Sequence, residues 1–210
     1  MEENMTPRQR IIDISFRLGL SHLGSCLTAL PIIEAIYDMK KVDEPFVLSC
    51  GHAALALYVV IESKGGRNAE DIFHHHGVHP DRCDACGLDY STGSLGHGLG
   101  ASVGMALADR TKQVYCLISD GECAEGSTWE ALRIASELEL DNLTVLVNAN
   151  GTGALGEIDL ERLEWRLQAF MKDNFPKVSF VKTNTGTDII KSVEGHYHKL
   201  TKEEYEKLIK

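Results

Sequence analysis

Residues 114–152, VYCLISDGECAEGSTWEALRIASELELDNLTVLVNANGT, decide how the rest of the chain is read. VYCLIS is an apolar run of strand length that stops at Asp120-Gly121. STWEALRIASELEL has helical periodicity, and LTVLVN is a second β-rich run that stops at Asn148-Ala149-Asn150-Gly151. The pattern predicts one βαβ unit. In a parallel sheet both runs end on the same edge, so the carboxylate at 120 and the carboxamide at 150 face each other across one crevice. Such a crevice suits a cation and a phosphate.

A length of 210 residues with 43% hydrophobic content fits a single globular domain over 1–210 with a sizeable core. The formal charge of −10 argues against nucleic acid as a partner, because sequence-independent binding needs basic surface to displace counterions. Met1 is followed by Glu2-Glu3-Asn4, and no apolar run reaches membrane-spanning length. The expectation is a cytoplasmic protein with no membrane association. Cys26, Cys50, Cys116 and Cys123 lie in apolar or glycine-rich segments, where reduced thiols are expected.

Along the chain, residues 7–18 place Ile11, Ile12, Ile14, Phe16 and Leu18 at the spacing of a surface helix. A short polar loop with His22 follows, then a helical pattern from about 30 to 39 with Pro31 near its first turn. His22 suits either a helix-capping role or a functional one. Phe46-Val47-Leu48-Ser49 reads as a short strand, and Cys50-Gly51-His52 turns into the apolar helix AALALYVVIES. His52 therefore falls on a strand's carboxyl edge, where α/β proteins place ligands; a hydrogen bond within the turn accounts for it equally well. The segment 73–86 holds four histidines and the C-x-x-C of Cys83 and Cys86. Zinc is disfavoured there because structural sites normally draw on two knuckles, and no second C-x-x-C is present. A thioredoxin-type dithiol is disfavoured too, for want of a strand before and a helix after. Residues 93–100 carry four glycines and run into the small-residue helix ASVGMALADR. Such a turn admits phosphate or a flat ring but does not match a nucleotide P-loop. Beyond 152, a helix is expected over 159–171, a strand over 178–183 and a last helix over 202–209.

Taken together these segments resemble the thiamine diphosphate-binding half of transketolases, and most closely the separately encoded N-terminal subunits of split transketolases. Asp120-Gly121 followed thirty residues later by Asn150 looks like that family's cofactor fingerprint. The resemblance covers most of residues 10–205. It implies a doubly wound, mostly parallel α/β sheet with helices on both faces. It implies Mg²⁺, for which Ca²⁺ or Mn²⁺ can substitute, held by Asp120, Asn150 and the Thr152 carbonyl; hard oxygen ligands of this kind are what Mg²⁺ prefers. His22, His52 and His79 match family histidines near the reacting centre, and His196 matches another. Gly93, Ser94 and Leu95 match the Gly-x-Leu against the aminopyrimidine, with Ser119, Asp120 and Gly121 at the diphosphate. Glu125 matches a glutamate at the subunit contact. By the same resemblance, the partner is a separate C-terminal, pyrimidine-domain chain, and self-association of the pair gives a heterotetramer. The implied substrates are sugars or sugar phosphates exchanging a two-carbon ketol unit.

Two departures stand out. Ser119 replaces a glycine common in relatives, and the connection from Asn150 to the helix at 159 is short, which implies a somewhat truncated sheet edge. Three other readings remain open at this point: another thiamine diphosphate-dependent reaction such as decarboxylating acyl transfer, a non-catalytic relative, and a zinc or redox module.

Overall fold

In the computed structural model, which describes residues 5–153, 156–171, 175–190 and 194–210, each apolar run of the opening stretch becomes a buried strand. The chain begins with helices α1 (Pro7–Arg17) and α2 (Leu23–Met39), strand β1 (Phe46–Leu48), and helices α3 (Ala54–Ser63), α4 (Ala69–His76) and α5 (Gly98–Ala108). The central unit follows as β2 (Val114–Ser119), α6 (Gly126–Glu137) and β3 (Leu143–Ala149). After it come two short strands, β4 (Thr152–Gly153) and β5 (Gly156–Glu157), then α7 (Leu160–Phe170), β6 (Lys177–Lys182) and α8 (Lys202–Leu208). Glu2, Glu3 and Asn4 lie outside the described residues, and so does part of the short connection, at 154 and 155.

Four strands form one parallel sheet in the order β1-β2-β3-β6. The register pairs Val114 with Leu143 and Ser119 with Asn148, so Asp120 and the turn after Ala149 leave the sheet at the same edge. Both faces are covered. Leu117 and Leu146 point into a core shared with α1, α2, α3 and α4, while Cys116, Ile118, Val145 and Val147 point into one shared with α5, α6 and α7. Two buried faces explain why these strands read as continuous apolar runs rather than as alternating ones. The sheet class and the helices on both faces agree with the expectation. All six cysteines are free. Among the described residues no helix is long and apolar enough to cross a membrane.

Two elements differ from the sequence reading. α2 starts at Leu23, not near 30, and Pro31 lies on the exposed side within it. Its first turn, Leu-Gly-Ser-Cys, is built mostly of small residues and has no side-chain cap, so local sequence carries little start signal. The second is α4, which the sequence reading does not contain. Asn68 caps it by accepting N–H bonds from Glu70 at 3.0 Å and Asp71 at 3.2 Å, and the histidine-rich run forms its last turn. The short connection folds as a small antiparallel hairpin of β4 and β5.

At the opposite edge of the sheet, buried Asn142 fixes the entry into β2. Its Nδ2 lies 2.9 Å from the carbonyl of Ala106, 3.1 Å from that of Asp109 and 2.9 Å from that of Lys112. Removing it leaves carbonyls at the end of α5 without a donor. Asn142→Ala is expected to cost about 1–3 kcal/mol of unfolding free energy in denaturant titration; an unchanged midpoint would show that these bonds are not needed.

Candidate active site

The carboxyl ends of β1, β2 and β3 bring the site together. After β1 the chain turns at Gly51, where a Cβ would lie 2.9 Å from the Thr92 carbonyl and from the Gly93 nitrogen. Only glycine permits that approach. Thr92 Oγ1 donates to the Leu48 carbonyl at 2.6 Å and fastens the glycine-rich turn to the strand end. Below it sits Glu122, fully buried, whose carboxylate accepts from Ser49 Oγ at 2.5 Å, Gly96 N–H at 2.9 Å and Ser119 N–H at 2.9 Å. One side chain therefore ties together the ends of β1 and β2 and the glycine turn. Burial raises its pKa, and the donors work against that rise.

Asp120 is 1% exposed. Its Oδ1 accepts from Gly121 N–H at 2.9 Å and its Oδ2 from Gly151 N–H at 2.7 Å. Desolvation lifts its pKa from 3.8 to about 6, with the backbone amides offsetting part of the rise. No cation among the described residues pairs with it. Holding it ionised at neutral pH costs roughly 3 kcal/mol at about 1.4 kcal/mol per pH unit, which a bound cation would offset. Asn150 stands beside it, with Oδ1 accepting from Thr152 N–H at 2.8 Å and Nδ2 donating to Thr28 Oγ1 at 3.3 Å. Asn148 shares the same hydroxyl at 2.9 Å, so α2 positions both amides. A carboxylate, a carboxamide oxygen and the Thr152 carbonyl form a hard-oxygen donor set suited to a cation of the Mg²⁺ class.

Three histidines cluster next to this set. His22 Nδ1 is 2.9 Å from His196 Nε2, and the His52 ring lies 5.4 Å from His22 and 5.5 Å from His196. His22 heads α2 in a left-handed conformation with φ of 63° and makes no side-chain cap, so the capping role falls away. Its N–H donates instead to the His196 carbonyl at 2.9 Å. Burial, and then repulsion from neighbouring imidazoles, lowers His22 to about 4 and His52 to about 3; burial lowers His196 as well. All three are neutral at pH 7, each offering one N–H donor and one acceptor nitrogen.

These groups line a cleft of about 190 Å³ together with Gly93 and Leu95, and an adjoining open cleft of about 620 Å³ shares Asn150, Thr152 and His196. His79 is exposed on the rim, its ring against Gly93. Of the residues singled out from sequence, His22, His52, His79, His196, Gly93, Leu95, Ser119, Gly121, Asn150 and Thr152 therefore meet in one place, with Asp120 directly beneath. Ser94 and Glu125 are exposed instead. Ser119, which the resemblance places at the diphosphate, lines the cleft, but its amide is already engaged, donating to Glu122 at 2.9 Å. Glu122, Asn148 and Thr28 are given no functional role in the sequence reading. Their roles depend on donors and acceptors far away in sequence, which no local pattern displays.

Residues 12–198 match the family model described as the transketolase, thiamine diphosphate binding domain. The chain belongs to this family. Among curated relatives of this transketolase family, one of the apulose-4-phosphate transketolase subunits, from Phocaeicola vulgatus, is 35% identical over 187 residues, covering 78% of this chain and 66% of that protein. The 6-deoxy-6-sulfo-D-fructose transketolase subunit SqwG of a Clostridium species is 36% identical over 178 residues, covering 73% of this chain and 65% of that one. The chain thus spans just under two thirds of these two proteins, and the match to human transketolase takes in 27% of that protein. Among solved structures, transketolase from Leishmania mexicana superposes with a TM-score of 0.78 at 21% identity, over 98% of this chain and 41% of that one. That likeness establishes the transketolase fold.

The two glutamates of the turn after β2 have opposite environments, and their substitutions should separate accordingly. Glu122→Ala leaves three buried donors unsatisfied and is expected to cost on the order of 3 kcal/mol or more in denaturant titration. Glu125→Ala, at an exposed position, is expected to stay within about 0.5 kcal/mol of the parent. Equal losses for the two would contradict the hub assigned to Glu122.

Proposed function

We propose that this chain is the diphosphate-binding subunit of a two-component transketolase, working with thiamine diphosphate, Mg²⁺ and a separate pyrimidine-domain chain. The observation that carries this reading is the convergence of the buried, uncompensated Asp120, Asn150 and Thr152 with three neutral histidines on one sheet edge. Two curated relatives bearing the word subunit in their names add support for a divided enzyme. Bound thiamine diphosphate supplies the electron sink for breaking and remaking the carbon–carbon bond beside a ketose carbonyl.

The chain's own residues bind, orient and exclude. Asp120, the Asn150 carboxamide oxygen and the Thr152 carbonyl hold Mg²⁺ against the diphosphate. Gly93 and Leu95 offer a flat, close-approach surface to an aromatic ring, since Gly93 has no side chain to intervene. His22, His52 and His196, uncharged, hydrogen-bond to sugar hydroxyls and carbonyl without adding positive charge, and His79 joins them from the rim. Glu125, exposed at the start of α6, faces the partner chain. One turn further along α6, Trp129 packs against Phe170, and Trp165 beside them is 67% exposed. An apolar patch of this kind is expected to be covered in an assembly. The substrates are sugars or sugar phosphates, the assembly pairs two copies of each chain, and the location is the cytoplasm.

The functional test is reconstitution. The purified chain with thiamine diphosphate and Mg²⁺ is expected to transfer no ketol units alone and to do so when mixed with a pyrimidine-domain chain from the same genome. Full activity of the chain by itself would contradict the proposal.

A pH dependence follows from Asp120. Its carboxyl, raised to about 6, is ionised above that pH and protonated below it, so cation and proton compete. In the reconstituted pair, Mg²⁺ affinity is expected to be level above about pH 6 and to fall towards about tenfold per pH unit below it. A flat profile from about pH 7 down to about 5 would show that Asp120 is not a ligand.

A further inference from the structure

Apart from His79, no residue from the end of α4 to Leu88 takes part in the chemistry above. α4 ends at His76, Gly77 turns the chain with φ of 74°, and the following residues fold back into a tight loop. Cys83 N–H donates to the Leu88 carbonyl at 2.9 Å and Leu88 N–H returns to the Cys83 carbonyl at 3.0 Å. Inside that loop Cys86 N–H donates to the Cys83 carbonyl at 3.0 Å, which curls both thiols to one side. The ligand atoms of His76, Cys83 and Cys86 lie within 4.8 Å of one another, and His76 Nε2 is 3.4 Å from Cys86 Sγ.

We propose that His76, Cys83 and Cys86 bind a zinc ion, at a site separate from the cofactor cleft. The spacing fits the metal: with Zn–N of about 2.05 Å and Zn–S of about 2.3 Å, a tetrahedral site holds nitrogen and sulfur ligands about 3.6 Å apart. The charge fits too. Two thiolates and a neutral imidazole bring Zn²⁺ to zero net charge, which suits a site where Cys86 is buried and the other two ligands are half-buried. Burial and the neighbouring Cys83 push the Cys86 thiol up, and the Arg67 guanidinium, 3.9 Å from Cys86 Sγ, offsets only part of that rise, so it is the metal that would draw off the proton. On binding, Cys83 and Cys86 each release a thiol proton to solvent, and water fills the fourth position. The lack of a second C-x-x-C counts against zinc in the sequence; helix α4, absent from that reading, supplies the missing ligand seven residues ahead of Cys83.

The ion's role follows from what the loop holds. Thr92 N–H donates to the Pro80 carbonyl at 3.0 Å and Arg82 N–H to Ser91 Oγ at 2.8 Å, so the loop is stitched to the stretch of chain entering the glycine turn. Zinc would fasten the segment that carries His79 to the rim of the cleft. The site depends on this segment's geometry alone and stands independently of ketol transfer.

The test uses the untagged full chain, reduced, stripped of metal and titrated anaerobically with Co²⁺ in buffer containing excess Mg²⁺. The expected result is thiolate-to-cobalt charge-transfer absorption in the near-ultraviolet with tetrahedral d–d bands in the visible. These bands should saturate at one equivalent and be displaced by one equivalent of Zn²⁺. Cys83→Ser and His76→Ala, checked for folding by circular dichroism, are expected to weaken binding by on the order of a hundredfold or more, since even outer-shell partners contribute about ten- to a hundredfold. Asp120→Asn should leave the bands unchanged. Absence of thiolate charge transfer in the parent chain, which requires no variant, would overturn the proposal, as would bands that persist in a Cys83→Ser/Cys86→Ser double variant.

Discussion

The bond from Gly151 N–H to Asp120 Oδ2, at 2.7 Å, ties the end of β2 to the turn after β3, and the rest of the site is arranged around it. It is possible only because the two strands run parallel in a register that ends both at one edge. Gly151 supplies the left-handed conformation, φ of 80°, that aims its amide back at the carboxylate. The same turn places Asn150 against Thr28 of α2 and sends Thr152 into a short hairpin. A shift in register would separate the oxygens. The core packing on both sheet faces, which resists such a shift, therefore maintains the binding geometry as well as the stability.

Electrostatics divide the crevice into two halves. At one end lie buried carboxylates, with Asp120 uncompensated and Glu122 surrounded by donors. At the other lie imidazoles kept neutral by burial and by one another. The arrangement favours a cation at the carboxylate end and keeps positive charge away from the histidine end. A ligand carrying a metal-bound diphosphate at one end and a polar, reacting carbonyl at the other matches that division. In the proposed assembly, exposed Glu125 and Trp165 belong to the surface that a second chain covers.

Much of this was legible in the chain itself, for identifiable reasons. Parallel strands buried on both faces leave unbroken apolar runs, and the turns that end them are marked by Asp-Gly and Asn-Gly. The βαβ unit, with Asp120 and Asn150 at one edge, could therefore be read directly. What escaped depends on long-range contact. The start of α2 is specified by packing rather than by a cap. Glu122 takes its importance from Ser49 and Gly96, which lie in other segments. The position of His196 could be matched only by family resemblance, and it is secured by the contact with His22 across 174 residues. The cysteine pair was obscure for the same reason: counting cysteines along the sequence does not anticipate a helix that returns a histidine to them.

The central claim is that Asp120, Asn150 and Thr152 form the metal–diphosphate anchor of the cleft. It is tested most directly by a crystal structure of the reconstituted pair with thiamine diphosphate and Mn²⁺, with anomalous diffraction measured at the manganese edge. The expected result is an anomalous peak bonded to the Asp120 carboxylate, Asn150 Oδ1 and the Thr152 carbonyl, with the diphosphate completing its coordination. A bound cofactor with no manganese at those three oxygens would contradict the account.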